Sequence, residues 1–115
     1  MGQDKQATFK ALSSLLASKN VKELPLENSK YVIFSDLHFG DGGKSDDFRD
    51  NVNALMTALP YYNDRGHTLI LLGDIEELWQ FDLPTIAKRY KNRSYRYMKS
   101  YGNDRFYRVF GNHDI

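Results

Sequence analysis

Three short polar motifs in this chain carry side chains that can bind a divalent metal ion. Asp36 and His38 are separated by one residue, Asp74 follows a glycine, and the third motif is Gly111-Asn112-His113-Asp114. Carboxylate oxygens, an amide oxygen and imidazole nitrogens suit Mn²⁺, Fe²⁺, Zn²⁺ or Mg²⁺ rather than a soft metal. The chain contains no cysteine, so thiolate zinc sites and disulfides are excluded.

Each motif directly follows a short apolar segment that is typical of a buried β-strand. These segments are residues 31–34, 68–72 and 106–110. In parallel α/β sheets ligands bind at the carboxyl ends of the strands, so we expect the three motifs at one edge of one sheet. The sequence therefore predicts that Asp36, His38, Asp74 and Asn112 converge on a metal centre.

Each motif also has an ordinary structural explanation when it is considered alone. Asp36 could accept hydrogen bonds from the glycine-rich loop that follows it. Asp74-Ile-Glu-Glu77 fits a capping box at the start of a helix, and Asn112 could adopt the left-handed conformation of a turn. The presence of all three motifs at three strand ends favours a metal centre over three independent coincidences.

The rest of the pattern predicts helices that pack on this sheet. Residues 4–18 have apolar side chains at helical spacing, and we expect their stripe to cover a face of the sheet. The Ser45-Asp46-Asp47 triplet favours the start of a second helix, which should end between residues 60 and 66. Asp82-Leu83-Pro84 favours the start of a third, which extends to about Tyr101. A strand, a helix and a second strand in this order form a parallel βαβ unit.

The segment 88–108 is basic and rich in tyrosine, with eight lysines and arginines and one acid, Asp104. In one interpretation it is a solvated helix whose tyrosines pack on the sheet. In the other, its tyrosines stack on bases or lie at a membrane surface. The cations, Arg93 and Arg96 among them, would then attract an anionic substrate.

Length and composition indicate one globular domain. The chain has 115 residues, of which 41% are hydrophobic and 27% charged, and its net charge of +1 says little about partners. No segment approaches the roughly 20 apolar residues of a membrane-spanning helix, and the N-terminus does not resemble a signal peptide. We therefore expect no transmembrane segment and a cytoplasmic location.

Taken together, Asp36-x-His38, Gly73-Asp74 and Gly111-Asn112-His113-Asp114 resemble the calcineurin-like metallophosphoesterases over residues 31–114. The resemblance implies an α/β fold, namely the parallel βαβ half of a four-layer αββα sandwich. Residues 1–30 would form an N-terminal helix and connector, and residues 31–115 the N-terminal part of the metallophosphoesterase domain. The implied activity is hydrolysis of phosphate mono- or diesters by metal-activated water at two divalent metals about 3.5–4 Å apart, with Mn²⁺ favoured.

The same resemblance implies a role for each matching residue. Asp36 and His38 would bind the first metal, Asp74 would bridge both metals, and the side-chain oxygen of Asn112 would bind the second. His113 would be the catalytic residue, since it would hydrogen-bond the phosphoryl group or protonate the leaving oxygen.

One branch of the family, the UDP-2,3-diacylglucosamine pyrophosphatases, is similar to this chain at Gly73-Asp74-x-x-Glu77-x-Trp79. That similarity implies a nucleotide-linked or lipid-linked phosphoester as substrate, although the branch commonly has arginine where His113 stands. Glu77 and Asp114 are expected to contact the residues of the site rather than the metals themselves, or to act as caps. Trp79 and Phe81 are expected to be core residues beneath it.

The family pattern continues with a lone histidine and a Gly-His-x-His motif that complete both metal shells. Neither occurs here, and His67, the only other histidine, precedes the second strand. We therefore expect the chain to be the N-terminal half of a larger enzyme, with the C-terminal half of the domain as its partner. Alone it should have little or no activity. The alternatives are a nucleic-acid or anionic-surface binding module that uses segment 88–108, and a structural fragment without activity.

Overall fold

A computed structural model describes residues 2–17 and 23–114 of the chain. This part is mixed α/β, with a sheet of three parallel strands in the order β1-β2-β3. β1 is Tyr31–Phe34, β2 is Thr68–Leu72 and β3 is Phe106–Val109. All three predicted strands are confirmed, and β3 ends one residue earlier than expected.

Four α-helices lie in the described part of the chain. They are α1 at Gly2–Ala17, α2 at Val52–Asp64, α3 at Leu83–Tyr90 and α4 at Arg96–Lys99. A kinked segment, Lys91–Tyr95, joins α3 to α4, and within it Arg93 leaves helical geometry with φ −115° and ψ −111°. The single helix expected over 82–101 is therefore interrupted. Within the described ranges, none of the helices combines the length and apolar character that crossing a membrane requires.

One face of the sheet lies under α2 and α3. Leu69 and Leu71 of β2 are fully buried there with Leu59 of α2 and Ile86 of α3. Burial of one such side chain contributes about 1.5–3 kcal/mol relative to exposure. This layer is the main apolar core of the described chain, and it supports the loops that leave the strands.

The opposite face of the sheet is open. Ile33 pairs in register with Ile70, and Leu72 pairs with Val109. The exposed fraction is 56% for Ile33, 51% for Leu72 and 53% for Val109. The expectation of a buried first strand is therefore wrong, because side chains alternate between two faces and only one face is covered.

The prediction that the first helix covers the sheet is not supported by the two members of its apolar stripe whose side chains the structure describes. α1 has nearly the predicted extent, but Phe9 is 72% exposed and Leu12 is 54% exposed. The spacing of apolar residues decides which side chains share a helix face. What that face contacts depends on the tertiary structure.

The Ser45-Asp46-Asp47 triplet does not start α2, which begins at Val52 and ends within the expected interval, at Asp64. Asp46 is buried instead. Its carboxylate accepts hydrogen bonds from the N–H of Gly42 at 2.8 Å, the N–H of Phe48 at 3.0 Å and the hydroxyl of Tyr90 at 2.6 Å. The acid that favoured a helix start therefore ties the loop after β1 to α3.

The predicted start of α3 is confirmed. The carboxylate of Asp82 accepts a hydrogen bond from the N–H of Thr85 at 2.9 Å, and a proline occupies the first turn. Hydrogen bonds from the side chain and then from the backbone N–H of Thr85 lower the pKa of Asp82 below its usual value. The cap is local in sequence, so it could be predicted without knowledge of the fold.

Candidate metal centre

The loops that follow β1 and β2 run side by side beyond the strand ends. The N–H groups of Asp36, His38 and Phe39 donate to the carbonyls of Gly73 (3.1 Å), Asp74 (3.0 Å) and Ile75 (2.7 Å). The N–H of Glu77 donates in return to the carbonyl of Phe39 at 3.0 Å. The parallel pairing thus continues into the loops and fixes their relative position at the carboxyl edge of the sheet.

The predicted metal ligands on these loops have left-handed backbone conformations. The φ angle is +55° at Asp36 and +54° at both His38 and Asp74. Among the non-glycine residues that the structure describes, Asn28 alone shares this feature. A left-handed conformation costs a non-glycine residue about 1–3 kcal/mol, and such residues cluster at functional sites. The backbone pairing between the loops holds these conformations in place.

Two glycines allow the loop after β3 to approach Asp74. A Cβ atom on Gly73, whose φ is +84°, would lie 3.1 Å from the nitrogen of Gly111. A Cβ atom on Gly111 would lie 2.3 Å from Oδ1 of Asp74. Because both residues are glycines and lack a Cβ atom, the loop reaches the carboxylate of Asp74. The N–H of His113 donates to Oδ1 of Asp74 at 2.9 Å.

Asp36, His38 and Asp74 come together as predicted. One ligand atom from each side chain lies within 4.8 Å of those from the other two. Two carboxylates at this separation repel each other, and a divalent cation between them would remove that repulsion. The hydroxyl of Ser35 donates to Oδ2 of Asp36 at 2.7 Å. This hydrogen bond is the main reason that the pKa of Asp36 is lowered, and the nearby His38 acts in the same direction.

Glu77 joins the two histidines of the site. Its Oε1 lies 3.0 Å from Nδ1 of His38, and its Oε2 lies 2.7 Å from Nδ1 of His113. Burial raises the pKa of Glu77, but the hydrogen bonds to His113 and His38 outweigh it, so the net shift is downward. With Nδ1 of His38 engaged, Nε2 is left to face Oδ1 of Asp36, 3.5 Å away. A carboxylate that orients a ligating histidine in this way is common at metal sites.

Glu77 therefore contacts both histidines of the site, which favours the supporting role expected of it. The capping-box alternative for Asp74-Ile-Glu-Glu77 is wrong, because this segment forms no helix. Instead, Glu76 forms an isolated parallel bridge with Phe39. The local sequence suits a helix cap, but pairing with the loop after β1 decides its conformation.

Trp79 was expected in the core, and this prediction is wrong, since its side chain is 62% exposed. Its ring stacks on His113 with centroids 3.8 Å apart and planes 28° apart. Phe81, by contrast, is partly buried against the core, as expected. The segment that carries Trp79 follows the sheet edge, so this residue covers His113 rather than the layer beneath.

Asn112 lies in a short 3-10 helical turn, Asn112–Asp114, and its side chain is exposed. The left-handed alternative for Asn112 is therefore wrong. The turn adjoins Asp74 through the backbone of His113, but ligation of a second metal by Asn112 stays a prediction. The side chain of Asp114 lies outside the described part of the chain, so its supporting or capping role stays a prediction too.

His38 belongs to a second group of potential metal ligands, with Glu77 and His113, again within 4.8 Å of one another. The distances between Glu77 and the two histidines are those of hydrogen bonds. A metal in this group would have to replace both hydrogen bonds, whereas a metal between Asp36 and Asp74 leaves them intact. The geometry therefore favours the Asp36-His38-Asp74 group.

Three tyrosines of segment 88–108 are buried or hydrogen-bonded within the fold. Tyr90 and Tyr101 are buried, and the hydroxyl of Tyr101 donates to the carbonyl of Leu59 at 2.5 Å. The hydroxyl of Tyr95 donates to Oε2 of Glu76 at 2.8 Å. These contacts favour the interpretation in which the tyrosines pack on the sheet over the one in which they stack on bases.

Arg93, one of the two predicted substrate-binding arginines, lines a basic cleft beside α3. Arg96 is exposed outside that lining, so a substrate contact by Arg96 stays a prediction. Lys88 and Arg89 of the lining belong to the basic segment that the sequence indicates, but Asp41, Thr85 and Asn92 were not predicted, nor was Ser35 beside Asp36. The helical spacing of Thr85, Lys88 and Asn92 is the signal that could have indicated the cleft.

Comparisons of the chain with protein-family models, curated proteins and solved structures find no match. Function is therefore argued from the chemistry of the site. That chemistry is a set of oxygen and nitrogen donors at the carboxyl edge of a parallel sheet.

Proposed function

We propose that the chain is part of a calcineurin-like metallophosphoesterase, which hydrolyses phosphate mono- or diesters with two divalent metal ions. The observation that carries the proposal is the meeting of Asp36, His38 and Asp74, whose ligand atoms lie within 4.8 Å of one another. Their left-handed backbone conformations add support, because such conformations cluster at functional sites.

The donors fit the proposed metals. Asp36 and His38 would hold the first ion, Asp74 would contact both ions, and Asn112 would contribute to the second. Hard oxygen donors with one imidazole suit Mn²⁺, Fe²⁺, Zn²⁺ or Mg²⁺. When bound, such ions would stabilise the negative charge that develops on the phosphoryl oxygens.

The residues around the cluster would orient the reacting groups. Glu77 accepts from Nδ1 of His38 and of His113, which leaves Nε2 of each ring for the site. His113 would use Nε2 to hydrogen-bond the phosphoryl group or to protonate the leaving oxygen. The carboxylate of Glu77 would stabilise the protonated ring, and stacking on Trp79 would restrict its rotation.

We further propose that the C-terminal half of the domain completes the site. Asp36, His38, Asp74 and Asn112 are too few for two metals that take about four to six ligands each. The open face of the sheet, with Ile33 and Leu72 more than half exposed, is the surface on which a second layer would pack.

The location of the metal can be tested with two variants of the present chain. Mn²⁺ is expected to bind weakly in calorimetric titration, and Asp74→Asn should weaken binding at least about tenfold, because it removes a ligand. His113→Ala should leave the affinity nearly unchanged. Asp64→Asn, an exposed change at the end of α2, is the matched control, and circular dichroism should show that every variant is folded. Loss of binding in His113→Ala, with binding kept in Asp74→Asn, would place the metal in the His38-Glu77-His113 group instead.

The same variants test the proposed activity. Alone, the chain should hydrolyse a general phosphodiester poorly or not at all. In a protein extended by the remaining ligands, Asp74→Asn should abolish turnover, and His113→Ala should slow turnover while metal content is kept. Full metal-dependent turnover by the 115-residue chain, absent in Asp74→Asn, would show that no further ligands are needed.

The alternative function, binding of nucleic acid or an anionic surface by segment 88–108, has weaker support. Tyr90 and Tyr101 are buried and cannot stack on bases. The basic side chains near Arg93 are the observation in its favour, and they belong to a defined cleft rather than to an extended surface.

A further inference from the structure

The described side chains that line the cleft beside α3 are all polar or charged. They are Asp41, Thr85, Lys88, Arg89, Asn92 and Arg93, and the volume is about 600 Å³. Spacings of three and four residues place the helical members on adjoining positions of one side of the segment. Three cations face one acid, and Oδ1 of that acid, Asp41, already accepts a hydrogen bond from the N–H of Gly43 at 2.8 Å. The cleft therefore has an excess of positive charge.

Arg89 is held in this wall by the loop that follows β1. A Cβ atom on Gly42, whose φ is +84°, would lie 2.4 Å from Nε and 2.7 Å from Cδ of Arg89. The loop backbone thus packs directly against the arginine side chain, and Nε is buried. A cation restrained in this way loses less conformational entropy on binding a ligand than a free surface arginine does.

The interruption of the helix lies at the same cleft. α3 ends at Tyr90, and the kinked segment that follows contains Arg93, whose backbone is not helical. Here the interrupted segment supplies both Asn92 and Arg93 to the lining.

We propose that this cleft binds a phosphate group, either as the free ion or as the terminal phosphate of a small polar molecule. Arginine guanidinium groups match phosphate geometry, lysine adds a point charge, and the side-chain amide of Asn92 can donate a neutral hydrogen bond. Among the residues that the structure describes, the lining side chains are polar or charged, which favours a polar remainder of the ligand. The volume is in the usual range for small-molecule sites and exceeds that of a phosphate ion alone. The inference does not depend on the proposed hydrolase function, because the cleft shares no residue with the metal cluster.

The test compares two lysines three positions apart. The metal-free, ¹⁵N-labelled chain is titrated with inorganic phosphate and, separately, with ribose 5-phosphate, and binding is followed by NMR. Signals of residue 41 and residues 85–93 should shift. Lys88→Ala should raise the Kd at least about fivefold through the loss of a charge-assisted contact. Lys91→Ala removes the same charge from an exposed position outside the lining, and should change the Kd less than about twofold.

A third variant separates binding from folding defects. Asp41→Asn keeps an oxygen for the N–H of Gly43 but removes the one negative charge among the described lining residues, so it should bind phosphate more tightly. Tighter binding of ribose 5-phosphate than of phosphate would identify a small molecule as the source, and equal affinities would identify the free ion. Equal weakening by Lys88→Ala and Lys91→Ala would overturn the proposal. Preferential binding of a single-stranded oligonucleotide, with shifts spread over 88–108, would also overturn it.

Discussion

The carboxyl edge of the sheet and the layer beneath α2 and α3 contrast in how they are stabilised. In the layer, Leu69 and Leu71 have regular strand geometry and are fully buried. At the edge, Asp36 and Asp74 have φ angles of +55° and +54°, and their carboxylates approach each other. Burial of apolar side chains stabilises the layer, whereas backbone strain and like-charge repulsion destabilise the arrangement at the carboxyl edge. The stability of the layer therefore maintains an arrangement that is unfavourable by itself, as expected of a functional site.

The largest expected effect comes from Leu71→Ala, which removes a fully buried side chain from the layer. The free energy of unfolding should fall by about 2–5 kcal/mol, because the substitution leaves a cavity. Chemical denaturation followed by circular dichroism measures this change. Leu72→Ala is the matched control, since the neighbouring side chain is 51% exposed on the open face. An equally large loss in Leu72→Ala would show that the open face is covered in solution.

A smaller effect on stability is expected at the carboxyl edge of the sheet, where glycine at a left-handed position relieves backbone strain. Asp36→Gly and Asp36→Ala both remove a proposed ligand and should weaken Mn²⁺ binding alike. Glycine adopts a φ of +55° without the penalty that alanine incurs, so the glycine variant should be the more stable of the two. The midpoints of urea denaturation give this comparison directly. Identical midpoints would mean that the left-handed conformation of Asp36 carries no strain.

The smallest expected effect is at the cap of α3. The hydrogen bonds from the side chain and the backbone N–H of Thr85 lower the pKa of Asp82, so the folded-state pKa lies below the usual value of 3.8. The stabilisation is therefore complete above about pH 3.8 and is lost as the pH falls through the folded-state pKa. In the variant Asp82→Asn, the asparagine side chain can also cap the helix, but it does not titrate. The wild type should lose more stability than this variant between about pH 5 and about pH 3 in urea denaturation. Parallel losses would exclude a contribution from the ionised cap.

The sequence by itself determined the three strands, the start of α3 and the meeting of Asp36, His38 and Asp74. Strand and cap signals are local, since they depend on the alternation of neighbouring side chains and on a polar residue three positions from its donor. The meeting of the ligands followed from one further rule, that parallel strands end at the same edge of a sheet. Metal binding and hydrolysis remain predictions from this arrangement.

Only the tertiary structure decided which surface each side chain contacts. Glu77 reaches His38 across 39 positions of sequence and His113 across 36. Asp46 accepts a hydrogen bond from Tyr90 instead of starting α2, and Phe9 and Leu12 of α1 are exposed where a cover for the sheet was expected. The spacing of residues defines which side chains share a helix face or a set of donor atoms. Which surface those side chains contact depends on how distant segments pack together. That packing is decided by shape and burial over the whole fold rather than by neighbours in sequence.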